Sequence, residues 1–185
     1  GRSCARHAVA VAVELEPGLR ARADEFAQAG AAGNQALRAA VAAAAAVTPG
    51  ERVLELYAGA GNFTRDLIAA GAEVTATDVV TPRDAATVAA RFVAGPAAAV
   101  VPALVKAGER FALVVLDPPR TGAKDVIDHL AATGASRIVY VSCDPATFAR
   151  DGERLVAAGF AARTIAAFDL MPQTAHVELV ARFER

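Results

Sequence analysis

Cysteine and histidine are scarce in this chain. Of 185 residues, two are cysteine, Cys4 and Cys143, and three are histidine. Two distant cysteines exclude a disulfide framework or a four-thiolate metal site within the chain. Three histidines leave little for a histidine-based metal cluster, and a reduced, intracellular protein is the expectation. Excess charge is missing as well: 19 basic and 20 acidic residues give a formal net charge of −1. Nucleic-acid-binding domains usually show a basic balance, and this chain shows none. Long apolar runs are also absent. The longest, Ala39–Val47 and Ala97–Val105, fall well below the ~20 residues needed to span a bilayer. His7–Val13 runs into Glu14 and Glu16 without a signal-peptide cleavage pattern. A cytoplasmic protein with no membrane partner is expected.

What is present is a substantial apolar complement, 55% of residues, much of it alanine. That supports a core of small side chains and excludes a wholly disordered or fibrous chain. His7–Leu15, the turn Glu16-Pro17-Gly18 and Leu19–Ala23 read as a hairpin. The polar and then β-like opening suits a domain cut from a longer protein. Ala31–Val47 is predicted helical and is stopped by Thr48-Pro49-Gly50. Beyond it strands and helices alternate. Strands are predicted at Arg52–Tyr57, Glu73–Thr77, Arg91–Ala94, Phe111–Leu116 and Ser136–Ser142. Helices are predicted at Asn62–Ala70, Pro82–Ala90 (with Thr81 as N-cap), Ala97–Ala107, Lys124–Thr133 and Pro145–Ala158. Ala161–Phe168 and Val177–Phe183 are two strands with no helix between them, so one is antiparallel. Continuous apolar strands alternating with helices argue for a parallel sheet covered on both faces. The pattern is that of a Rossmann-like α/β domain with a small N-terminal appendage.

Ligands of such sheets sit beyond the carboxyl ends of the strands. There the first strand of the alternating series leads into Tyr57-Ala58-Gly59-Ala60-Gly61-Asn62. Gly59 and Gly61 permit a tight turn, and Asn62 is placed to cap the next helix. A dinucleotide fingerprint needs a third glycine where Thr64 stands, which favours a smaller adenosine ligand. Asp78 ends the next strand, where a carboxylate accepts from two ribose hydroxyls. A generic strand–helix turn and a solvated strand-end acid are the bland alternatives. Cys143 follows a buried strand, and Asp144-Pro145 reads as N-cap and first residue of a helix. The helix dipole lowers the pKa of a thiol there, while Asp144 opposes it, so the net shift stays open. A small buried hydrophobe is the alternative for Cys143. Asp117-Pro118-Pro119-Arg120-Thr121-Gly122 follows another apolar strand and so reaches the same rim, as a ligand loop or a stiff loop with a surface ion pair. Glu178, before the last strand, returns to that rim or is merely solvated.

Together these segments resemble the S-adenosylmethionine-dependent RNA uracil-C5 methyltransferases, which form 5-methyluridine in transfer or ribosomal RNA. The matching pieces are Phe26-Ala27-Gln28, Asn34-Gln35-Ala36-Leu37, Glu55–Thr64, Asp117–Gly122, Tyr140–Thr147 with Ala149-Arg150-Asp151, and Asp169–Glu178. They occur in the family's order and span nearly the whole chain. The resemblance implies a class I methyltransferase fold: a mostly parallel seven-stranded sheet with an antiparallel strand near the C-terminus. Residues 1–30 then form a hairpin and linker, and 31–185 the S-adenosylmethionine-dependent domain. It implies Cys143 as nucleophile, Glu178 as general base, and Gln28, Tyr57, Gly59, Asn62, Asp78 and Asp117 at the methyl donor. No metal site is implied. A thiolate adding to carbon 6 of uracil turns a poor nucleophile at carbon 5 into an enolate, and a base then removes the carbon-5 proton.

Two positions depart from the family pattern. Gly30 stands where asparagine follows the glutamine by two residues, and Pro96 follows Gly95 where an acidic or amide residue is usual. Pro96 offers neither side chain nor amide to an adenine, so weaker cofactor binding is expected. The RNA-binding barrel of many members, and the four-cysteine iron–sulfur cluster of some, do not fit ahead of Phe26. A separate RNA-binding domain or partner is therefore expected. Two competing readings are a methyltransferase for a base amino group, which Arg120 and Cys143 oppose, and a non-catalytic cofactor- or RNA-binding module derived from the family.

Overall fold

The computed structural model describes residues 12–16, 19–22, 31–80, 89–170 and 177–185. Gln28, Cys4, the start of the predicted first strand and most of the predicted helix Pro82–Ala90, with its cap Thr81, lie outside them. Strand β1 (Ala12–Glu16) pairs antiparallel with β2 (Leu19–Arg22), the expected hairpin. Helix α1 covers Ala31–Ala45. The alternating series follows: β3 (Arg52–Leu56), α2 (Thr64–Ala69), β4 (Glu73–Asp78), β5 (Arg91–Ala94), α3 (Ala97–Lys106) and β6 (Leu113–Leu116). A 3-10 helix (Ile127–Thr133), β7 (Arg137–Ser142), α4 (Pro145–Ala157), β8 (Ala161–Phe168) and β9 (Glu178–Glu184) complete it.

Seven strands form one sheet in the order β5-β4-β3-β6-β7-β9-β8. The pairings from β5 through β7 are parallel, whereas β9 runs antiparallel to both β7 and β8. That is the single reversed strand expected from two consecutive C-terminal strands. Side-chain alternation splits the core in two. Val53, Leu113, Val115, Val139 and Val141 pack with Leu37 and Val41 of α1, with Phe63, and with Leu67 of α2. Leu54, Leu56, Val114, Leu116 and Ile138 face Val101 and Leu104 of α3, the 3-10 helix, and Phe148 and Leu155 of α4. The central strands are buried on both faces, which explains their unbroken apolar sequence.

Two elements differ from expectation. Lys124–Thr133 is not an α-helix: turns lead into the 3-10 helix from Ile127. Ile127, Leu130 and Thr133 are its buried positions, and a spacing of three suits a helix with three residues per turn. Helix α2 starts at Thr64 rather than Asn62 and has no side-chain cap. The predicted cap by Asn62 is thus not formed, because its side chain pairs with Asn34 instead. Helix α4 behaves as read. Asp144 accepts from the Thr147 N–H at 2.9 Å, and Pro145 opens the helix.

Candidate active site

The carboxyl ends of the parallel strands and the start of β9 share one rim. After β3 the backbone turns sharply, with Tyr57 at φ +61°, Gly59 at +53° and Gly61 at +85°. A bulky residue with positive φ is a strained, uncommon arrangement that the surroundings must hold in place. The Ala58 N–H donates to the Thr77 carbonyl at 3.1 Å, and the Gly59 N–H to Asp78 Oδ2 at 2.9 Å. Asp78 therefore braces the glycine turn from the neighbouring strand. Its other oxygen accepts from the Val80 N–H at 3.3 Å, and each carboxylate oxygen keeps a lone pair for a further donor. A Cβ added at Gly59 would meet open space.

Asn62 is held by a reciprocal amide pair: it donates to Asn34 Oδ1 at 2.9 Å and accepts from Asn34 Nδ2 at 3.0 Å. Asn34 is buried on α1, so this pair ties the turn to the covering helix. Beneath the turn lies Glu55, 1% exposed, with neither carboxylate oxygen nor the facing Thr64 hydroxyl hydrogen-bonded within the described structure. Burial pushes its carboxyl up to about 8, with Asp117 adding to the rise. Thr64 pulls the other way. Tyr57 is partly buried, and burial, helped by Asp125, Asp151 and Asp78, raises its phenol to about 12.

Further along the rim the register does the assembling. Leu116 pairs with Tyr140, so Asp117 leaves β6 beside the end of β7. Ser142 pairs with Leu179, which brings Cys143 and Glu178 to matching ends of β7 and β9. Glu178 is 5% exposed, and Cys143 is half-buried. Burial drives the Asp117 carboxyl up to about 7, with Glu178 adding to it. Burial likewise raises Glu178, with Arg120 pulling the other way. The Cys143 thiol is raised by burial, then by Glu178 and Asp117, and again opposed by Arg120. The direction left open by the sequence is therefore upward, set first by burial. Two acids, a thiol and one guanidinium thus form a coupled cluster.

Tyr57, Gly59, Asn62, Asp78, Asp117, Cys143 and Glu178 accordingly gather along one rim, while Gln28 lies outside the described residues. Glu55, Asn34 and Asp151 fall within the family-matching segments, but the sequence assigned none of them a role. For Glu55 a signal existed, since an acid interrupts the apolar run Arg52–Leu56.

Comparison with known proteins bears on the fold and the family. An Agrobacterium tumefaciens S-adenosylmethionine-dependent methyltransferase superposes with a TM-score of 0.67 at 16% identity, covering 95% of this chain and 70% of that one. The fold is that of S-adenosylmethionine-dependent methyltransferases. Residues 106–185 match the family model of tRNA (Uracil-5-)-methyltransferase. A Pseudomonas fluorescens 23S rRNA (uracil(1939)-C(5))-methyltransferase is 40% identical over 175 residues, 90% of this chain and 38% of the relative. The Pyrococcus abyssi tRNA (uracil-54, C5)-methyltransferase, solved in complex with S-adenosyl-L-homocysteine, superposes with a TM-score of 0.71 at 27% identity, over 94% of this chain and 44% of that one. Over these spans the chain is similar to RNA uracil-C5 methyltransferases. It spans less than half the length of the P. fluorescens and P. abyssi relatives. Among the described residues no helix is long and apolar enough to cross a membrane.

Proposed function

We propose that this chain, through residues 31–185, is the catalytic domain of an RNA uracil-C5 methyltransferase that uses S-adenosylmethionine on a uridine of transfer or ribosomal RNA in the cytoplasm. The observation that carries the reading is the strand register that brings Cys143 and Glu178 to one rim beside Asp117 and the Tyr57–Asn62 turn. The residues present fit the methyl donor. The turn is open at Gly59, and Asp78 has acceptor capacity at a strand end. Gln28, Tyr57, Gly59, Asn62, Asp78 and Asp117 would hold it. When bound, S-adenosylmethionine supplies the methyl group that carbon 5 of uracil acquires.

Cys143, as thiolate, forms a bond from sulfur to carbon 6 of the ring, and the double-bond electrons move onto the carbon-4 oxygen. The enolate makes carbon 5 nucleophilic. After methylation, Glu178 takes the carbon-5 proton, the carbon 5–carbon 6 double bond re-forms, and the Cys143 thiolate leaves. A carboxyl raised by burial is a better base than an exposed one, which suits Glu178 to this step. Arg120 favours the charged forms of both Cys143 and Glu178. A base in folded RNA must leave its stack to reach Cys143. With a net charge of −1, the chain has little means of gripping RNA nonspecifically, so a separate RNA-binding domain or partner completes the proposal.

The test is transfer of labelled methyl from S-adenosylmethionine to unmodified transfer and ribosomal RNA, followed by nucleoside analysis. 5-Methyluridine that disappears in Cys143→Ala supports the reading. Label in any other nucleoside, or none in any RNA, contradicts it.

A further inference from the structure

Three chain segments converge on one carboxylate outside the reacting groups. Asp151, in α4, is wholly buried. Its Oδ2 accepts from the Ala123 N–H at 2.6 Å and from the Tyr140 hydroxyl at 2.7 Å. Its Oδ1 accepts from Arg150 Nε at 2.9 Å and Nη2 at 2.8 Å. The same Nη2 donates to the Thr121 carbonyl at 2.9 Å. Ala123 and Thr121 belong to the segment that carries Arg120, Tyr140 lies three residues before Cys143, and α4 begins two residues after it. Gly122 explains how closely the loop sits. A Cβ there would collide with the Arg150 guanidinium, approach Asp151 Oδ2 at 2.5 Å and Thr147 Cβ at 3.2 Å, and strain a backbone at φ +74°.

We propose that Asp151 is a positioning residue: it clamps the Arg120 loop to α4 and β7, and so fixes the Arg120 guanidinium relative to the Cys143 sulfur. The significance rests on the proposed role of Cys143 as nucleophile. Among the described residues, the charged groups that act on the thiol are Glu178 from β9 and Asp117 and Arg120 from the segment after β6. Arg120 is the cation among them, and it rides on the clamped segment. A carboxylate with these partners cannot be replaced by an amide without loss. An asparagine would turn an N–H donor toward either the Arg150 fork or the Ala123 and Tyr140 donors.

The experiment is the pH dependence of iodoacetamide alkylation at Cys143, read on its peptide by mass spectrometry so that Cys4 does not interfere. It needs neither RNA nor cofactor. Arg120→Gln is expected to move the midpoint upward and slow alkylation at neutral pH by about threefold or more, the thiolate being the reactive form. Asp151→Asn should reproduce most of that shift, and the double variant should add little to it. Arg150→Met, which removes a partly exposed side chain, gives a smaller shift in the same direction and serves if Asp151→Asn does not fold. A clamp that merely stabilises the fold would lower the melting temperature of these variants without moving the midpoint. Superposable profiles for wild type and a folded clamp variant would overturn the proposal, as would an Arg120→Gln profile unchanged from wild type. If the midpoints shift as expected while no RNA is methylated by the wild type, the clamp stands and the proposed function fails.

Discussion

The side-chain amides of Asn34 and Asn62 donate to each other, at 3.0 and 2.9 Å, across the 28 residues that separate α1 from the glycine turn. A paired amide at this depth serves two ends at once. It satisfies a buried Asn34, and it fixes Asn62 on the turn proposed to receive the methyl donor. Asn34→Ala should cost about 1–3 kcal/mol of stability, because the Asn62 amide loses both halves of its pair. Binding of S-adenosylmethionine should weaken by about tenfold, since ~1.4 kcal/mol is a factor of ten. Denaturant unfolding and titration calorimetry measure the two. Unchanged affinity with lowered stability would restrict the pair to a structural role.

Glu55 makes stability depend on pH. Its carboxyl titrates near 4.5 when unfolded and at about 8 when buried under the turn. Between those values the folded state keeps a proton that the unfolded state releases, so stability falls as pH rises from about 4.5 to about 8. Glutamine does not titrate. The stability of Glu55→Gln relative to wild type should therefore grow between pH 5 and pH 8 by on the order of 2–4 kcal/mol, read from urea unfolding at both values. Parallel pH profiles would show that Glu55 is ionised in the fold.

Pro96 occupies the N-cap of α3 at φ −65° and ψ 137°, with no side-chain cap. Aspartate adopts that backbone readily and accepts from the first-turn N–H groups, worth about 1 kcal/mol, against roughly 0.4–1 kcal/mol of lost proline stiffness. Little net change in melting temperature is expected from Pro96→Asp. The larger effect should fall on cofactor affinity, because an acidic group would stand where the family pattern places one. A severalfold tighter dissociation constant for S-adenosylmethionine is the expected outcome, and an unaltered one would remove Pro96 from the account of binding.

The fold was readable where burial dominates. Leu113–Leu116 and Ile138–Val141 are apolar without a break because helices cover both faces of their strands. Cys143 and Glu178 were legible as separate rim residues, but their pairing required the β7–β9 register. What stayed hidden depends on partners distant in sequence. Asn62 reads as a helix cap until Asn34, 28 residues away, claims it. The thiol pKa was undecidable for the same reason. The local dipole and Asp144 were visible, but burial and the acids Glu178 and Asp117, which raise the thiol, are set by the tertiary fold.

The covalent role of Cys143 is the centre of this account, and a mechanism-based trap tests it most directly. RNA carrying 5-fluorouridine, incubated with the protein and S-adenosylmethionine, can form the sulfur–carbon 6 bond and accept the methyl group but has no carbon-5 proton for Glu178 to remove. A complex that survives denaturation, maps to Cys143 and vanishes in Cys143→Ala is the predicted result. With ordinary uridine, Glu178→Gln should slow turnover by about 10²–10⁴-fold while the adduct remains detectable. Measurable cofactor binding with no adduct on any transfer or ribosomal RNA would contradict the account and favour a non-catalytic binding module.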